Sequence, residues 1–305
     1  QARAILDEMY EFYLDGDNDY KPSERSVRRV VEAFVKRYGD VAEAEKVFEQ
    51  YGPLDDQESY KTLLFGWSKS DEPERAHHYL TEMIEKNLEP DCFCFDRVLE
   101  AYNANMNKKR FKKCQQVFAQ MEECRQKGLV KPNERFYNSF IRAIGKAKIP
   151  DTPKKAHMIL ERMRKLYEEG NRGIKPTVFT YNAILNICAE SKDMHSMPLA
   201  LTLFNELRAS NMPPDHVTFG NLFKCAALLE DGSRKQALVS STFQLCCKCG
   251  CVNEYVIRDL KESAPEHQWR ELTNCEQGDE VYIPKEWRWK FETKRKPRTK
   301  APRFR

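Results

Sequence analysis

One helical phrase recurs five times along the chain and constrains its fold more than any single residue does. An aromatic residue is followed by apolar residues three, four and seven places on. The copies are Tyr60, Leu63, Leu64, Trp67; Phe95, Val98, Leu99, Tyr102; Tyr137, Phe140, Ile141, Ile144; Tyr181, Ile184, Leu185, Cys188; and Phe219, Leu222, Phe223, Ala226. That spacing is the period of an α-helix, so each quartet is one apolar stripe that must be buried. A second phrase follows, a small residue, a bulky one four later and another three beyond: Ala76, Leu80, Met83; Cys114, Phe118, Met121; Ala156, Leu160, Met163; and Ala200, Phe204, Leu207. A small side chain where two helices cross lets their backbones approach, which accounts for Ala or Cys in that slot.

A proline separates each second phrase from the next quartet: Pro90, Pro132, Pro176 and Pro214, each five residues before an aromatic. Proline cannot continue a helix and pre-sets an extended turn. The aromatic-to-aromatic steps, by contrast, are 35, 42, 44 and 38 residues. The surplus sits in turns, as at 192–198, or just before the proline, as at 169–173. Insertions confined to turns, with helix phasing kept, are what a stack of αα-hairpins tolerates. Weaker copies extend the array. Pro22 lies five before Val27, and Ala44, Phe48 and Tyr51 form a second phrase; Ala2, Leu6 and Met9 form another with no first helix before it. The expectation is an all-α solenoid of αα-hairpins that begins inside a repeat, as a piece of a longer protein would. Residues 1–23 are expected to form the partial repeat, 24–253 the array, 254–283 a helical cap and 284–305 a basic aromatic tail.

Composition agrees with this and narrows the function classes. The chain has 305 residues, 41% hydrophobic and 32% charged, with only 12 Gly, a balance suited to a helical protein and not to a disordered one. No stretch approaches the roughly eighteen uninterrupted apolar residues that a membrane span needs. Eleven cysteines, an odd number set mostly at apolar helical positions, read as buried thiols in a reducing compartment. The 51 Lys and Arg against 47 Asp and Glu leave +4, unevenly placed. Ten of the basic residues lie in 284–305 beside Glu286 and Glu292, so the tail carries +8 and the preceding 283 residues −4. Such a tail suits an acidic partner, nucleic acid before ribosome or membrane surface, and equally a solvated end. Trp287, Trp289 and Phe291 are interleaved with its charges, either to stack on bases or to dock on the solenoid.

Enzyme motifs are missing: there is no Walker loop, GxGxxG, HExxH or serine elbow, nor the His-Glu with Pro-Cys-x-x-Cys set of a zinc deaminase. Cys246 and Cys249 have CxxC spacing, with Cys247 and Cys251 beside them. No second CxxC or paired His lies at finger spacing, so no metal and no cofactor is expected. His77 and His78 are adjacent, point apart on a helix and read as solvated surface.

The period, with phrases such as "VFTYNAILNICAE", "ALTLFNELRASNMPPD" and "SYKTLLFGWSK", resembles the pentatricopeptide repeat family over residues 1 to about 253, best at 178–215. Tetratricopeptide repeats differ in their Gly, Tyr, Ala and Pro spacing. "PKEW" near the end is similar to the C-terminal ends of algal-type members of the family. The resemblance implies a right-handed superhelix whose first helices line a groove for single-stranded RNA, in a mitochondrion or chloroplast. It also implies one base per repeat, read by the residue after the quartet aromatic together with the residue after the closing proline. Those pairs are Lys61 with Asp91, Asp96 with Asn133, Asn138 with Thr177, Asn182 with Asp215, and Gly220 with Asn253.

Asn182 with Asp215 is the family's combination for uracil, the amide meeting the base edge and the carboxylate supporting it. Asn138 with Thr177 leans to a pyrimidine, Asp96 with Asn133 is ambiguous, and the Lys61 and Gly220 repeats depart from productive pairs. The residue two before each aromatic should flank the base: Glu58, Phe93, Arg135, Phe179 and Val217. Phe93, Phe179 and Val217 suit stacking, and Arg135 suits stacking or phosphate. The competing readings are that Phe93 and Phe179 are buried between hairpins, that Asn138 and Asn182 bridge helices, and that Asp215 is an N-cap. The expected function is a non-catalytic, monomeric, sequence-selective binder of single-stranded RNA in organellar RNA processing, stability or translation. The alternative is a protein-interaction scaffold such as an organellar ribosome component.

Overall fold

The fold was analysed in a computed structural model, which describes residues 2–51, 56–104, 106, 108–147, 149–193, 195–276 and 280–288. Each first helix begins one residue after the proline slot, on a side chain that closes its open end. Ser23, Asp56, Asp91, Asn133, Asp215 and Asn253 accept from the backbone N–H three residues on, and Thr177 and Thr180 form a capping box. These caps satisfy donors that have no partner inside the helix. The helices they start are α2 (Glu24–Ala33), α4 (Gln57–Trp67), α6 (Cys92–Ala104), α8 (Glu134–Lys146), α10 (Val178–Glu190), α12 (His216–Ala227) and α14 (Glu254–Ser263).

The second helices are α3 (Val41–Tyr51), α5 (Pro73–Glu85), α7 (Lys108–Gln126), α9 (Thr152–Glu168), α11 (Ser196–Ala209), α13 (Ser233–Lys248) and α15 (Glu266–Thr273), with α1 (Ala2–Leu14) ahead of them all. Several stop alike. Asn87, Gly128, Gly170, Asn211 and Gly250 take positive φ, and the next N–H reaches back to a carbonyl five residues earlier, as Leu88 does to Met83 and Cys251 to Cys246. A left-handed residue favours glycine or asparagine, so these stops were written in the sequence.

The described residues fall into two compact units, drawn from 1–149 with 162–175 and from 150–161 with 176–305. In the first, α2, α4, α6 and α8 lie side by side, and α3, α5 and α7 pack behind them, each against its own first helix and the next. In the second, α10, α12 and α14 form the row, backed by α11, α13 and α15. All twenty quartet residues are buried, and the small slots Ala76, Cys114, Ala156 and Ala200 are wholly so. Burying one such Leu or Phe contributes about 1.5–3 kcal/mol, and within each unit this recurring stripe holds one hairpin to the next. Phe118, half-buried, stacks on Phe140 with ring centroids 4.2 Å apart. Each unit is therefore a stack of αα-hairpins, and no strand occurs among the described residues.

α14 stands beside α12 as α12 stands beside α10. It carries an N-cap at Asn253 and buried Ile257 and Leu260 at the first two quartet positions, and it pairs with α15. Val252 occupies the proline slot. Its free N–H donates to the Trp287 carbonyl at 2.9 Å, and the Trp287 ring meets Phe243 edge-on at 5.6 Å. Trp287 thus docks on the solenoid. Trp289, Phe291 and the basic run belong to 289–305, outside the described residues.

Candidate functional site

The residue after a quartet aromatic lies at the edge of the first-helix stripe, and Lys61, Asp96 and Asn182 each turn to the start of the following first helix or to its side chains. In the second unit this puts Asn182 and Asp215 together. Asn182 Nδ2 donates to Asp215 Oδ1 at 2.9 Å, although 33 residues separate them. The Thr218 hydroxyl, 2.7 Å from Asn182 Oδ1, donates to it, and Asn221 Nδ2 donates to the Asn182 backbone carbonyl at 3.1 Å. Asp215 also caps α12, accepting from the Thr218 N–H at 2.9 Å. The bridging and capping readings of Asn182 and Asp215 therefore hold. They fix which way the Asn182 amide faces and leave it one N–H and one acceptor lone pair. Asn182 is 7% exposed, shielded but at the surface.

The first unit treats its slots differently. Lys61 meets Asp91 as paired in the sequence, at 3.1 Å, and also Glu58 at 3.3 Å. Burial works against the Lys61 charge, yet the two carboxylates hold its ammonium above the ordinary lysine value. Asp91 is exposed but partly desolvated, and Lys61 and the Cys94 N–H hold its carboxyl below the usual range against that desolvation. Asp96 is 2% exposed and turns to Ser139, whose hydroxyl donates to it at 2.6 Å, and to Arg135 Nε at 2.6 Å. Burial pushes the Asp96 carboxyl up. Arg135 also reaches Glu100 at 3.0 Å, so its charge is engaged twice. Asn133 caps α8, accepting from the Phe136 N–H. Asn138 donates to Glu134 at 2.8 Å, while its Oδ1 is buried with no hydrogen-bond partner among the described residues. Thr177 caps α10 in the second unit.

The flanking slots are open. Phe93 is 41% exposed, Phe179 57% and Val217 42%, which overturns burial between hairpins for the two phenylalanines. A lone exposed apolar side chain needs no explanation, but Phe179 and Val217 expose the same register position in successive hairpins of the second unit, and Phe93 exposes it in the first. Phe93 lies near-parallel to Phe65 at 6.4 Å, with the Arg97 guanidinium 4.7 Å from its ring centre.

Several residues at this face were not singled out from the sequence. Ser139, Asn221 and Asp259 hold one position, the residue after the reading slot, and each turns back to the preceding first helix: Ser139 to Asp96, Asn221 to Asn182, Asp259 to Gly220. Tyr255, 64% exposed, continues the flanking row on α14. Its signal was Asn253, a cap residue four before the buried Ile257, in a copy where Val252 replaces the proline.

Other expectations changed. His77 is not solvated: it is 9% exposed, with Nδ1 3.2 Å from the Tyr102 hydroxyl and Nε2 3.0 Å from Gln120 Oε1. Burial lowers its pKa. Cys246 and Cys251 are buried, Cys247 and Cys249 half-buried. Among the described residues no group of three or more His, Cys, Asp or Glu is placed to hold a metal, and no helix is long and apolar enough to cross a membrane.

Known proteins agree with this geometry. Residues 176–227 match the PPR repeat family, and 78–147 and 152–191 match the pentatricopeptide repeat domain. Small ribosomal subunit protein mS39 of Mus musculus is 26% identical over 192 residues, which are 60% of this chain and 26% of that protein. Among solved structures, the pentatricopeptide repeat protein PPR10 in complex with an 18-nt psaJ RNA element aligns with TM-score 0.51 and 20% identity, over 90% of this chain and 36% of that one. A cysteine-substituted form of PPR10 with the same RNA element aligns equally well. This chain thus spans about a quarter of the length of mS39 and about a third of PPR10. The repeats of residues 78–147 and 152–227 are thus pentatricopeptide repeats, and the hairpins that carry them share the fold of a solved pentatricopeptide repeat protein.

Proposed function

We propose that this protein binds single-stranded RNA in organellar gene expression, as a binding protein and not an enzyme, and that Asn182 with Asp215 selects uracil. The carrying observation is the preset Asn182 amide, held by Asp215 and Thr218. Uracil presents an N–H between two carbonyls, and an amide with one donor and one acceptor left matches part of that edge. Phe179 and Val217, exposed on either side in register, supply surfaces between which the base can stack. The solved PPR10 complexes with RNA support the ligand class. Binding of uridine-containing single-stranded RNA is expected to lose its uridine preference in the double variant Asn182→Ala, Asp215→Ala. Absence of RNA binding by the parent would refute the proposal.

A second reading is favoured by the similarity to a small ribosomal subunit protein: the array works as a ribosome-associated component. The ion-paired slots of the first unit, Lys61 with Asp91 and Asp96 with Arg135, are engaged within the protein and suit a surface that reads few bases. Co-sedimentation of the tagged protein with small ribosomal subunits from organelles, mitochondria first, would support this reading. Recovery only with free RNA would exclude it.

A further inference from the structure

The step from α12 to α14 lacks a reading side chain, because Gly220 stands where Asn182 stands one hairpin earlier. Its place is taken from the next helix. A Cβ built on Gly220 would lie 2.7 Å from Asp259 Oδ2, a separation that real Cβ atoms do not show, so the glycine makes room for this carboxylate. Asp259 is 4% exposed, in the same range as Asn138 and Asn182. Arg258 Nε and Nη2 donate to Oδ1 at 3.2 and 3.0 Å, and Lys224 Nζ lies 3.7 Å from Oδ2.

The surroundings are those of an open slot. Along α12, Val217 and Lys224 are three before and four after Gly220, and they are 42% exposed and, in its side chain, 40% exposed. On α14, Tyr255 lies four before Asp259, 64% exposed, with the Arg258 guanidinium 5.6 Å from its ring centre. Val217 and Tyr255 thus flank this step as Phe179 and Val217 flank the one before.

We infer that Asp259, standing in the space Gly220 leaves, makes the α12–α14 step a selective site for guanine. A carboxylate only accepts, and its two oxygens offer about four lone-pair directions, not all taken by Arg258 and Lys224. Among the four bases, guanine alone presents two adjacent donors, N1–H and the N2 amine, on its Watson–Crick edge. Uracil places carbonyl oxygens beside its single N–H, and cytosine and adenine place an acceptor nitrogen beside the amine, so each of these sets a lone pair against the carboxylate. The inference rests on the RNA-binding reading above. It adds a residue outside the pairs listed by sequence register, supplied by the following hairpin.

The test is enrichment of a randomised single-stranded RNA pool on the full chain and on Asp259→Asn, which keeps shape and removes the charge. The parent is expected to enrich guanosine at the nucleotide next to the uridine selected by Asn182 and Asp215. Asp259→Asn should lower that preference about tenfold, the discrimination of one bidentate contact, and keep the uridine. Replacing the guanosine by inosine, which lacks the N2 amine, should weaken the parent and leave Asp259→Asn nearly unaffected. A structural role alone would lower affinity for both RNAs alike. Uridine enriched without neighbouring guanosine, or guanosine preference unchanged in Asp259→Asn, overturns this inference and spares the uracil reading. A pool with no base enriched at either position, or no RNA retained, overturns both.

Discussion

Glu122 shows how a single buried charge is stabilised in this array. It accepts hydrogen bonds from Tyr137 and from Arg162 in neighbouring helices, with Arg125 on its own helix, and its side chain is 14% exposed. Burial raises the carboxyl pKa, but the hydrogen bonds from Tyr137 and Arg162 outweigh it and hold the group below its ordinary value. A carboxyl with a depressed folded-state pKa stabilises the fold above its unfolded pKa and loses that contribution as pH falls through the folded value. Glu122→Gln should therefore destabilise the chain at pH 7 by about 3 kcal/mol, as loss of one partner of a buried pair does. The gap from the parent should close below about pH 4, where both unfolded chains carry a neutral side chain. Urea melts at several pH values measure this, and a gap constant down to pH 3 would contradict it. At the same scale Asn182 and Asp215 were legible because family register marks positions along one chain. Thr218, Ser139 and Asp259 were not, because each acts on a residue 36 to 43 places back, a separation that register does not express.

Helices and their ends were the most legible elements. Quartets, small slots and prolines fix which face is buried and where each first helix starts, and every cap follows from the polar residue after the proline slot. Two features escaped. His77 follows the small slot Ala76, but the junction of α5, α6 and α7 buries it between Tyr102 and Gln120, and adjacency to His78 carries no information about that. α14 was expected as a helix of the cap, but its place as a further first helix was obscured because Val252 replaces the proline, and the structure gives the reason: the extra N–H is used to hold Trp287. Val252→Pro should keep α14, since proline suits this slot in five other copies, and remove that bond at a cost of about 1 kcal/mol. Trp287 fluorescence, isolated by changing the other three tryptophans to Phe, should shift to the red and quench more readily. An unchanged spectrum would show that the Phe243 contact alone holds the ring.

Across the whole molecule charge is the property least tied to the fold. The repeats bury nearly the same stripe each time, while net charge passes from −4 over residues 1–283 to +8 over 284–305. The body offers few uncommitted cations at the reading face, since Lys61, Arg135 and Arg258 are each held by carboxylates. If the protein binds RNA as proposed, phosphate attraction is expected to fall to the eight Lys and Arg of 289–305. Neutralising phosphates releases condensed counterions, so the logarithm of affinity falls with the logarithm of salt by about 0.7 per contact on a single strand. Changing those eight residues to Gln in the full chain should weaken RNA binding at low salt and flatten the salt dependence by several such increments. On the proposed reading the uridine preference should persist, because that reading places base selection in Asn182 and Asp215 and gives the tail only sequence-independent attraction. Equal slopes for parent and variant would place the phosphate contacts on the helical array, and a lost uridine preference would make the tail part of the base-reading site.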